Sequence, residues 1–346
     1  MVEKKSEEKK DSVSEDAIQK KEDGKIVDQK AGKGTNEEDN ELSEEDRLKK
    51  EELALLVTRA QDNDEGVRKL ALETIRSEIR SATSSMTSVP KPLKFLREHY
   101  LPLKSFHATL PQSETKVFLS DILSVLAMTM AEEGSRESLA FKLQGSSDAP
   151  DTWGHEYVRS LCGEIGQEYS ARVELLDASA DDNAKKEAVK DLMILVNQIV
   201  PFLLANNAQP EAVDLLMEVE SLGMLSEFVN ENTFERVCLY LQTCSSYLPE
   251  EEDTEALHVA ANIYRKCNRS CQAMRIALRL RNVSMMEQIF AAADEVTQKQ
   301  LAFDLARHNV VLSEIDGVEV DESLTEIMGN AKLSEFFLTL AKDLEV

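Results

Sequence analysis

Residues that form turns are scarce in this chain of 346 residues, and so are aromatic residues. It contains 12 Gly and 8 Pro, and aromatic residues make up 5% of the sequence. Sheet-rich domains need many turns between short strands, and those turns depend on Gly and Pro. Hydrophobic residues nevertheless account for 42% of the chain, which is enough to form a core. The composition therefore predicts an all-α protein.

Positive charge is also in short supply. The chain has 40 Lys and Arg against 65 Asp and Glu, which gives a formal net charge of −25. A protein that holds nucleic acid through its general field needs a positive surface to attract phosphates. We therefore expect no nucleic-acid partner.

Long apolar runs and an export signal are both missing from the sequence. No apolar run approaches the ~20 residues of a membrane span, and the N-terminus lacks the hydrophobic core of a signal peptide. The cysteines are odd in number: Cys162, Cys238, Cys244, Cys267 and Cys271. These features predict no membrane association and a reducing compartment with free thiols, either cytoplasm or nucleus.

The N-terminal segment differs in composition from the rest of the chain. Residues 1–52 contain 12 Lys and Arg, 18 Asp and Glu and no aromatic residue. A segment with so few apolar groups cannot bury enough surface to offset the conformational entropy lost on folding. We expect residues 1–50 to form a disordered, mixed-charge tail and residues 51–346 to be helical.

From Glu51 onward, apolar residues recur at helical spacing, and most predicted connections are only a few residues long. Short connections favour antiparallel neighbouring helices, yet the sequence shows no fixed repeat period. The pattern predicts an irregular α-solenoid of antiparallel helix hairpins.

Helix-weakening residues interrupt two of the predicted helices. Gly163 and Gly166 lie in the helix expected over residues 155–176, and each should weaken it by about 1 kcal/mol unless close helix packing uses them. Pro201 lies in the helix expected over residues 182–205, and we expect it to kink or break that helix.

The segment 81–92, SATSSMTSVPKP, is polar and contains two prolines. A proline disfavours helix at the residue before it, here Val89 and Lys91. The segment is predicted to be a loop that is ordered, bound by a partner, or simply a long connection.

Catalytic, cofactor and metal sites find little support in the sequence. His155 begins a stretch close to a metalloprotease helix, but Arg159 stands where the second zinc-binding His is needed, so a helix start over a buried Trp153 is expected instead. The stretch 32–35, GKGT, lacks the second glycine and the preceding strand of a nucleotide-binding loop. We predict no cofactor, although catalytic residues from distant positions can still assemble into a site.

Cys267 and Cys271 would share a helix face only if one helix ran through both. Even with His258 they leave a tetrahedral metal site incomplete, and Asn268 and Arg269 between them suggest a turn. Buried structural cysteines are therefore expected here.

Five segments carry a resemblance to a known family, in order along the predicted helical region. They are TSSMTSVPKPLKFL (83–96), DILSVLAMTM (121–130), WGHEYVR (153–159), EAVDLLMEVE (211–220) and QKQLAF (298–303). With its charged N-terminal tail, the sequence resembles the N-terminal portion of the family of non-ATPase regulatory subunit 2, the largest subunit of the base of the proteasome regulatory particle.

The resemblance implies a scaffold and receptor without catalysis, which supports ATP-dependent degradation of ubiquitinated proteins. In that family a toroid of Gly- and Ala-rich helical repeats receives ubiquitin, ubiquitin-like domains and a deubiquitinase. The present sequence contains no such repeat array, so no ubiquitin-binding positions are carried over to it. For the helical N-terminal region, the resemblance implies anchoring to the coiled coils of the ATPase subunits and to other base subunits.

Under this resemblance, the proline-containing segment becomes a candidate partner contact. We expect Pro90, Lys91, Pro92 and Lys94 to touch the ATPase coiled coils, because core packing does not explain a polar, proline-stiffened stretch. The alternative is that the segment only caps the chain's own first helices. An alternative for the whole chain is a free-standing helical adaptor for other protein partners.

Overall fold

The computed structural model describes residues 43–83, 90–132, 134–176, 182–315 and 318–344. Helices dominate these ranges, which confirms the predicted all-α class. The helices of the N-terminal half are α1 (Glu44–Ala60), α2 (Glu65–Thr83), α3 (Lys91–Leu96), α4 (Tyr100–Thr109), α5 (Glu114–Met130), α6 (Glu137–Gln144), α7 (His155–Glu174), α8 (Asp182–Ala188) and α9 (Lys190–Ala205).

The C-terminal half continues in the same way, with one short pair of strands. Its elements are α10 (Gln209–Glu218), α11 (Leu225–Phe228), α12 (Phe234–Cys244), α13 (Glu250–Lys266), α14 (Ser270–Arg279), α15 (Val283–Ala291), α16 (Glu295–Arg307), β1 (Glu314–Ile315), β2 (Val318–Glu319), α17 (Glu322–Met328) and α18 (Ala331–Asp343). Short 3-10 turns lie at Arg97–His99, Pro150–Trp153 and Leu222–Met224.

Helix α1 begins earlier than the predicted boundary at residue 50. The Ser43 hydroxyl accepts a hydrogen bond from the Asp46 amide at 3.2 Å, and the first turn carries three acidic residues. Both features stabilise a helix start, because they satisfy or complement its free amides. Residues 44–50 are therefore helical rather than part of a disordered tail. The rest of the predicted tail, residues 1–42, lies outside the described residues.

Neighbouring helices contact each other in chain order. α4 packs on α5, α5 on α6, α12 on α13, and α13 on α14. Contacts also skip one or two elements, as between α7 and α10 or between α14 and α16. Contacts that join only near neighbours are typical of stacked helical repeats, and they confirm the irregular α-solenoid.

The two glycines of α7 have different surroundings. A Cβ added at Gly166 would lie 3.2 Å from the Glu218 Cβ of α10 and still closer to the Glu218 carboxylate, whereas a Cβ at Gly163 would meet nothing within 4 Å. Gly166 thus allows α7 and α10 to approach closely, the role that would justify a glycine within a helix. Gly163 has no such role.

The predicted break at Pro201 is wrong. α9 continues through this proline to Ala205, and the interruption lies instead at Val189, whose φ of −111° and ψ of 7° depart from helical values. Pro201 removes one backbone hydrogen bond. Burial of Ile199, Val200 and Leu203 on the same helix offsets that loss, because each is at most 1% exposed.

β1 and β2 were not predicted. They pair in antiparallel register, with Glu314 opposite Glu319 and Ile315 opposite Val318. The sequence signal was available, because Asp-Gly at 316–317 between apolar residues is typical of a tight hairpin. The strands join α16 to α17.

Helix α18 packs on α17 but leaves much apolar surface open. Leu333, Phe337, Leu340 and Leu344 are each between 47% and 64% exposed. Their spacing of four, three and four residues places them on one face of the helix.

Replacing the two glycines of α7 by alanine should have opposite effects on stability. Gly166→Ala is expected to lower the free energy of unfolding by about 1–2 kcal/mol, because the Glu218 carboxylate must leave its position and the Glu218 Cβ must give way slightly to admit the new methyl group. Gly163→Ala should raise it by up to about 1 kcal/mol through helix propensity alone. Urea denaturation of both variants measures this, and equal effects would contradict the close approach at Gly166.

Candidate functional site

The proline-containing segment ends in a short helix. Pro90 has extended backbone angles and precedes α3, and its carbonyl accepts a hydrogen bond from the Lys94 amide at 3.0 Å. Lys91 and Pro92 form the first turn of α3, so the expectation that the prolines exclude helix at Lys91 is wrong. Amides in a first turn have no partner within the helix, and Pro92 therefore loses nothing there.

Burial divides the four predicted contact residues. Pro92 is buried together with Leu93 and Leu96, whereas Lys91 and Lys94 are exposed and Pro90 is half-buried. The two lysines are three residues apart on α3 and so lie on neighbouring turns. The structure therefore brings Pro90, Lys91 and Lys94 to one surface and places Pro92 in the core beneath it.

The other end of the predicted loop is held by arginine stacking. The guanidinium of Arg80 on α2 lies 4.9 Å from the centre of the Trp153 ring, and that of Arg76 lies 4.9 Å from the centre of the Phe118 ring. Both arginines also form ion pairs with Asp148. These contacts fix the C-terminal end of α2 against the turn at 150–153.

A buried ion pair lies behind this contact. Lys142 on α6 and Asp121 on α5 are 3.8 Å apart, and each side chain is 2% exposed. The Asp121 carboxylate accepts hydrogen bonds from the amide and hydroxyl of Ser146, at 3.0 and 2.6 Å. The Lys142 ammonium donates to the carbonyls of Ser146 and Asp148, at 2.9 and 2.8 Å. Burial lowers the pKa of Lys142, although the neighbouring carboxylate opposes that shift.

Gly145 completes the arrangement. A Cβ at this position would lie 2.3 Å from the Asp121 Oδ1 atom, so a larger residue would displace the carboxylate. We call the cluster of Arg76, Arg80, Asp121, Lys142 and Asp148 the polar junction. Two of the segments that carry the resemblance meet here: Asp121, in 121–130, belongs to the junction, and Trp153, in 153–159, contacts Arg80.

A second polar contact joins α4 to α6. The Glu137 carboxylate accepts hydrogen bonds from the Lys104 ammonium, at 2.6 Å, and from the Tyr100 hydroxyl. The Lys104 hydrogen bond is the main reason why the pKa of Glu137 lies below its ordinary value of 4.5, and the Tyr100 bond adds to it.

One histidine pairs with a buried serine, a contact that the sequence does not predict. The Nε2 atom of His107 on α4 lies 2.7 Å from the hydroxyl of Ser120 on α5. Ser120 is fully buried and His107 is 5% exposed, and burial lowers the pKa of this histidine. The pair resembles part of a hydrolase site in composition, but a substrate has no access to a fully buried hydroxyl. It is a hydrogen bond between two helices.

His155 and Arg159 are both exposed at the start of α7, and the His155 ring lies 4.8 Å from that of Phe202. Trp153 is 2% exposed, which confirms its predicted burial beneath this helix start. Within the described ranges, no group of three or more potential ligands is placed to hold a metal ion. The GKGT stretch at 32–35 lies outside these ranges.

Cys267 and Cys271 lie on either side of a turn between α13 and α14. Asn268 has a φ of 55°, which confirms the predicted turn. Both thiols are half-exposed, so their predicted burial is wrong; the turn carries them to the edge of the helix pair. Cys162 and Cys238 are buried, and burial raises their pKa to about 12, so they are protonated at neutral pH.

No helix among the described residues has both the length and the apolarity needed to cross a membrane.

The Glu137 contact predicts a specific pH dependence. A carboxyl group with a lowered pKa in the folded state stabilises the fold above its ordinary pKa, and that contribution is lost as pH falls through the folded value. Glu137→Gln should therefore lower the free energy of unfolding by about 1 kcal/mol at pH 7, allowing for partial solvent screening, and by much less near pH 3. Urea denaturation across this pH range measures the difference.

Glu174→Gln, at an exposed position near the end of α7, is the control for this comparison. It should change stability little at any pH. A loss in the Glu137 variant that is the same at pH 3 and pH 7 would contradict the assignment.

Comparison with known proteins gives a consistent result. The family model described as RPN1 N-terminal domain matches residues 53–346. The chain is 47% identical over 308 residues to 26S proteasome non-ATPase regulatory subunit 2 homolog A of Arabidopsis thaliana, a match covering 88% of this chain and 33% of that relative. It is 43% identical over 307 residues to 26S proteasome non-ATPase regulatory subunit 2 of Dictyostelium discoideum, with the same coverage.

A further relative, 26S proteasome regulatory subunit rpn1 of Schizosaccharomyces pombe, is 40% identical over 307 residues, again covering 88% of this chain and 33% of the relative. The chain thus spans about a third of the length of the curated relatives it matches. The match begins within α1 and includes every later helix, so it covers both the polar junction and the surface formed by Pro90, Lys91 and Lys94. These matches confirm the resemblance found in the sequence, and the chain belongs to the RPN1 N-terminal domain family.

Proposed function

We propose that this chain is a non-catalytic scaffold of the base of the proteasome regulatory particle, where it supports ATP-dependent degradation of ubiquitinated proteins by anchoring to the ATPase ring. The family match over residues 53–346 carries the proposal, because the relatives are named as 26S proteasome non-ATPase regulatory subunits. The free thiols suit the cytoplasm and nucleus, which we propose as its compartments.

The chemistry of the described residues supports a role without catalysis. The Ser120 hydroxyl and the thiols of Cys162 and Cys238 are buried. Burial leaves these potential nucleophiles without access to a substrate. What the chain offers instead is an extensive helical surface with exposed charged and apolar side chains, and stacked helices commonly use such surfaces to bind other proteins.

We propose that the surface formed by Pro90, Lys91 and Lys94 contacts the coiled coils of the ATPase subunits. Coiled coils present charged side chains beside their apolar seam, and lysines on successive turns can pair with acidic ones. The position of α3 is fixed by packing, because its side chains Leu93 and Leu96 are fully buried. Binding would then cost little ordering entropy. Ubiquitin binding is not part of this proposal.

Cross-linking tests this contact. The tagged chain is recovered from cells with its associated proteins and treated with a lysine-reactive cross-linker, and the linked peptides are identified by mass spectrometry. We expect links from Lys91 or Lys94 to an ATPase subunit. Lys91→Glu with Lys94→Glu should reduce ATPase recovery about tenfold, since charge reversal turns attraction into repulsion.

A double reversal at the exposed residues Lys299 and Lys342 is the matched control, because it changes the net charge equally and should leave recovery unchanged. If neither Lys91 nor Lys94 links to another subunit, the proposed contact is wrong. If the ATPases are absent from the recovered material, the scaffold proposal itself fails and a free-standing adaptor is favoured.

A further inference from the structure

A groove of 610 Å³ opens between α7, α8, α9 and the segment that follows α10. Its volume lies within the range of about 300–1,000 Å³ that is usual for ligand sites. The groove is separate from the predicted contact at Pro90, Lys91 and Lys94, because all of its lining residues lie between Tyr169 and Met224.

One part of the lining is apolar. Met193 and Ile194 come from α9, Val189 is the residue just before that helix, and Met224 comes from the 3-10 turn after α10. Ile194 is 56% exposed although α9 is a strongly apolar helix. Side chains on successive turns of α9 cover about 10 Å between residues 190 and 197, enough to receive two or three apolar side chains. Covering Ile194 and the methionines would stabilise a complex.

The α8 side of the groove is basic. Lys185, Lys186 and Lys190 all line it. Lys190 pairs with Glu187 at 3.2 Å, but these side chains are 66% and 76% exposed, so the pair is weak. Lys185 and Lys186 form no ion pair with any described residue. In a chain with a net charge of −25, this is a local positive surface that can attract carboxylates.

The groove also has an acidic lining residue, Glu220. Glu220 lines an adjoining depression of 520 Å³ as well, together with Glu218, Glu251, Glu252 and Glu255. The sign of the surface charge therefore changes along the groove, from the lysines of α8 to these glutamates. A bound segment with carboxylates along its whole length would be repelled at Glu220.

We propose that this groove binds an acidic amphipathic peptide segment of a partner protein. The apolar side chains of the bound segment lie over Met193, Ile194 and Met224. The acidic end of the segment lies at Lys185 and Lys186, and its other end, which is neutral or basic, lies toward Glu220. Three independent features select this occupant: an apolar centre, a basic end and an acidic end. The acidity of the whole chain disfavours nucleic acid.

Phage display tests the proposal. A library of random 12-residue peptides is displayed on phage and selected for binding to the purified full chain. We expect the selected peptides to share two or three apolar residues with Asp and Glu concentrated on one side of them. The Kd of a selected synthetic peptide is then measured by fluorescence polarisation. This assay contains no ATPase subunit, so its outcome is independent of the proposed anchoring.

Two variants locate the peptide on the chain. Lys185→Glu with Lys186→Glu should raise the Kd at least tenfold by reversing the charge at the basic end, and Ile194→Asp should do so by placing a charge in the apolar centre. Both changes are at the surface, and circular dichroism confirms that each variant is folded. Lys299→Glu with Lys342→Glu is the matched control, because it changes the net charge equally at exposed positions outside both proposed surfaces, and it should leave the Kd unchanged.

Three results would overturn the proposal. The selection could return no peptide family enriched in acidic residues, or the peptide could bind the Lys185 and Lys186 variant as tightly as the wild type. An equal loss in the Lys299 and Lys342 control would show that general electrostatic attraction, and not the groove, accounts for binding.

Discussion

The buried ion pair between Asp121 and Lys142 is the constraint on which the N-terminal half of the structure depends. Each side chain is 2% exposed. Removing such charges from water costs several kcal/mol each unless other polar groups replace the lost hydration. Ser146 and the Asp148 carbonyl supply those groups, so the connection after α6 must pass close to Asp121 and Lys142 for the pair to stay hydrogen-bonded.

The same ion pair also helps to position the surfaces that we propose as partner contacts. The fixed connection places Asp148 beside Arg76 and Arg80, and these arginines hold the end of α2 against Trp153. Seven residues separate α2 from α3, and α3 packs on α2, so these contacts position the surface of Lys91 and Lys94. Gly166 allows α10 to approach α7, and α10 leads into the segment that forms one side of the groove. A scaffold in this sense is a rigid core that holds exposed charges at set positions.

Helical periodicity predicted the fold class and most of the helices, because a helix that buries one face has apolar residues at a regular spacing. Periodicity could not tell which apolar residues face solvent: Leu53 is fully buried, while Leu55 beside it is 50% exposed. The lysines at 91 and 94 could be proposed from the sequence, since a polar stretch with prolines stands out among helices. The groove could not, because its walls come from elements up to 55 residues apart and meet only after folding.

A double-mutant cycle on the buried pair tests this account most directly. The free energies of unfolding of Asp121→Asn, Lys142→Met and the double variant are measured by urea denaturation and compared with the wild type. If the pair organises the junction, each single change should cost about 3–5 kcal/mol, because it leaves a buried group without its partner, and the double change should cost clearly less than their sum. Costs that add within about 0.5 kcal/mol would show that the two residues act independently and would contradict the account.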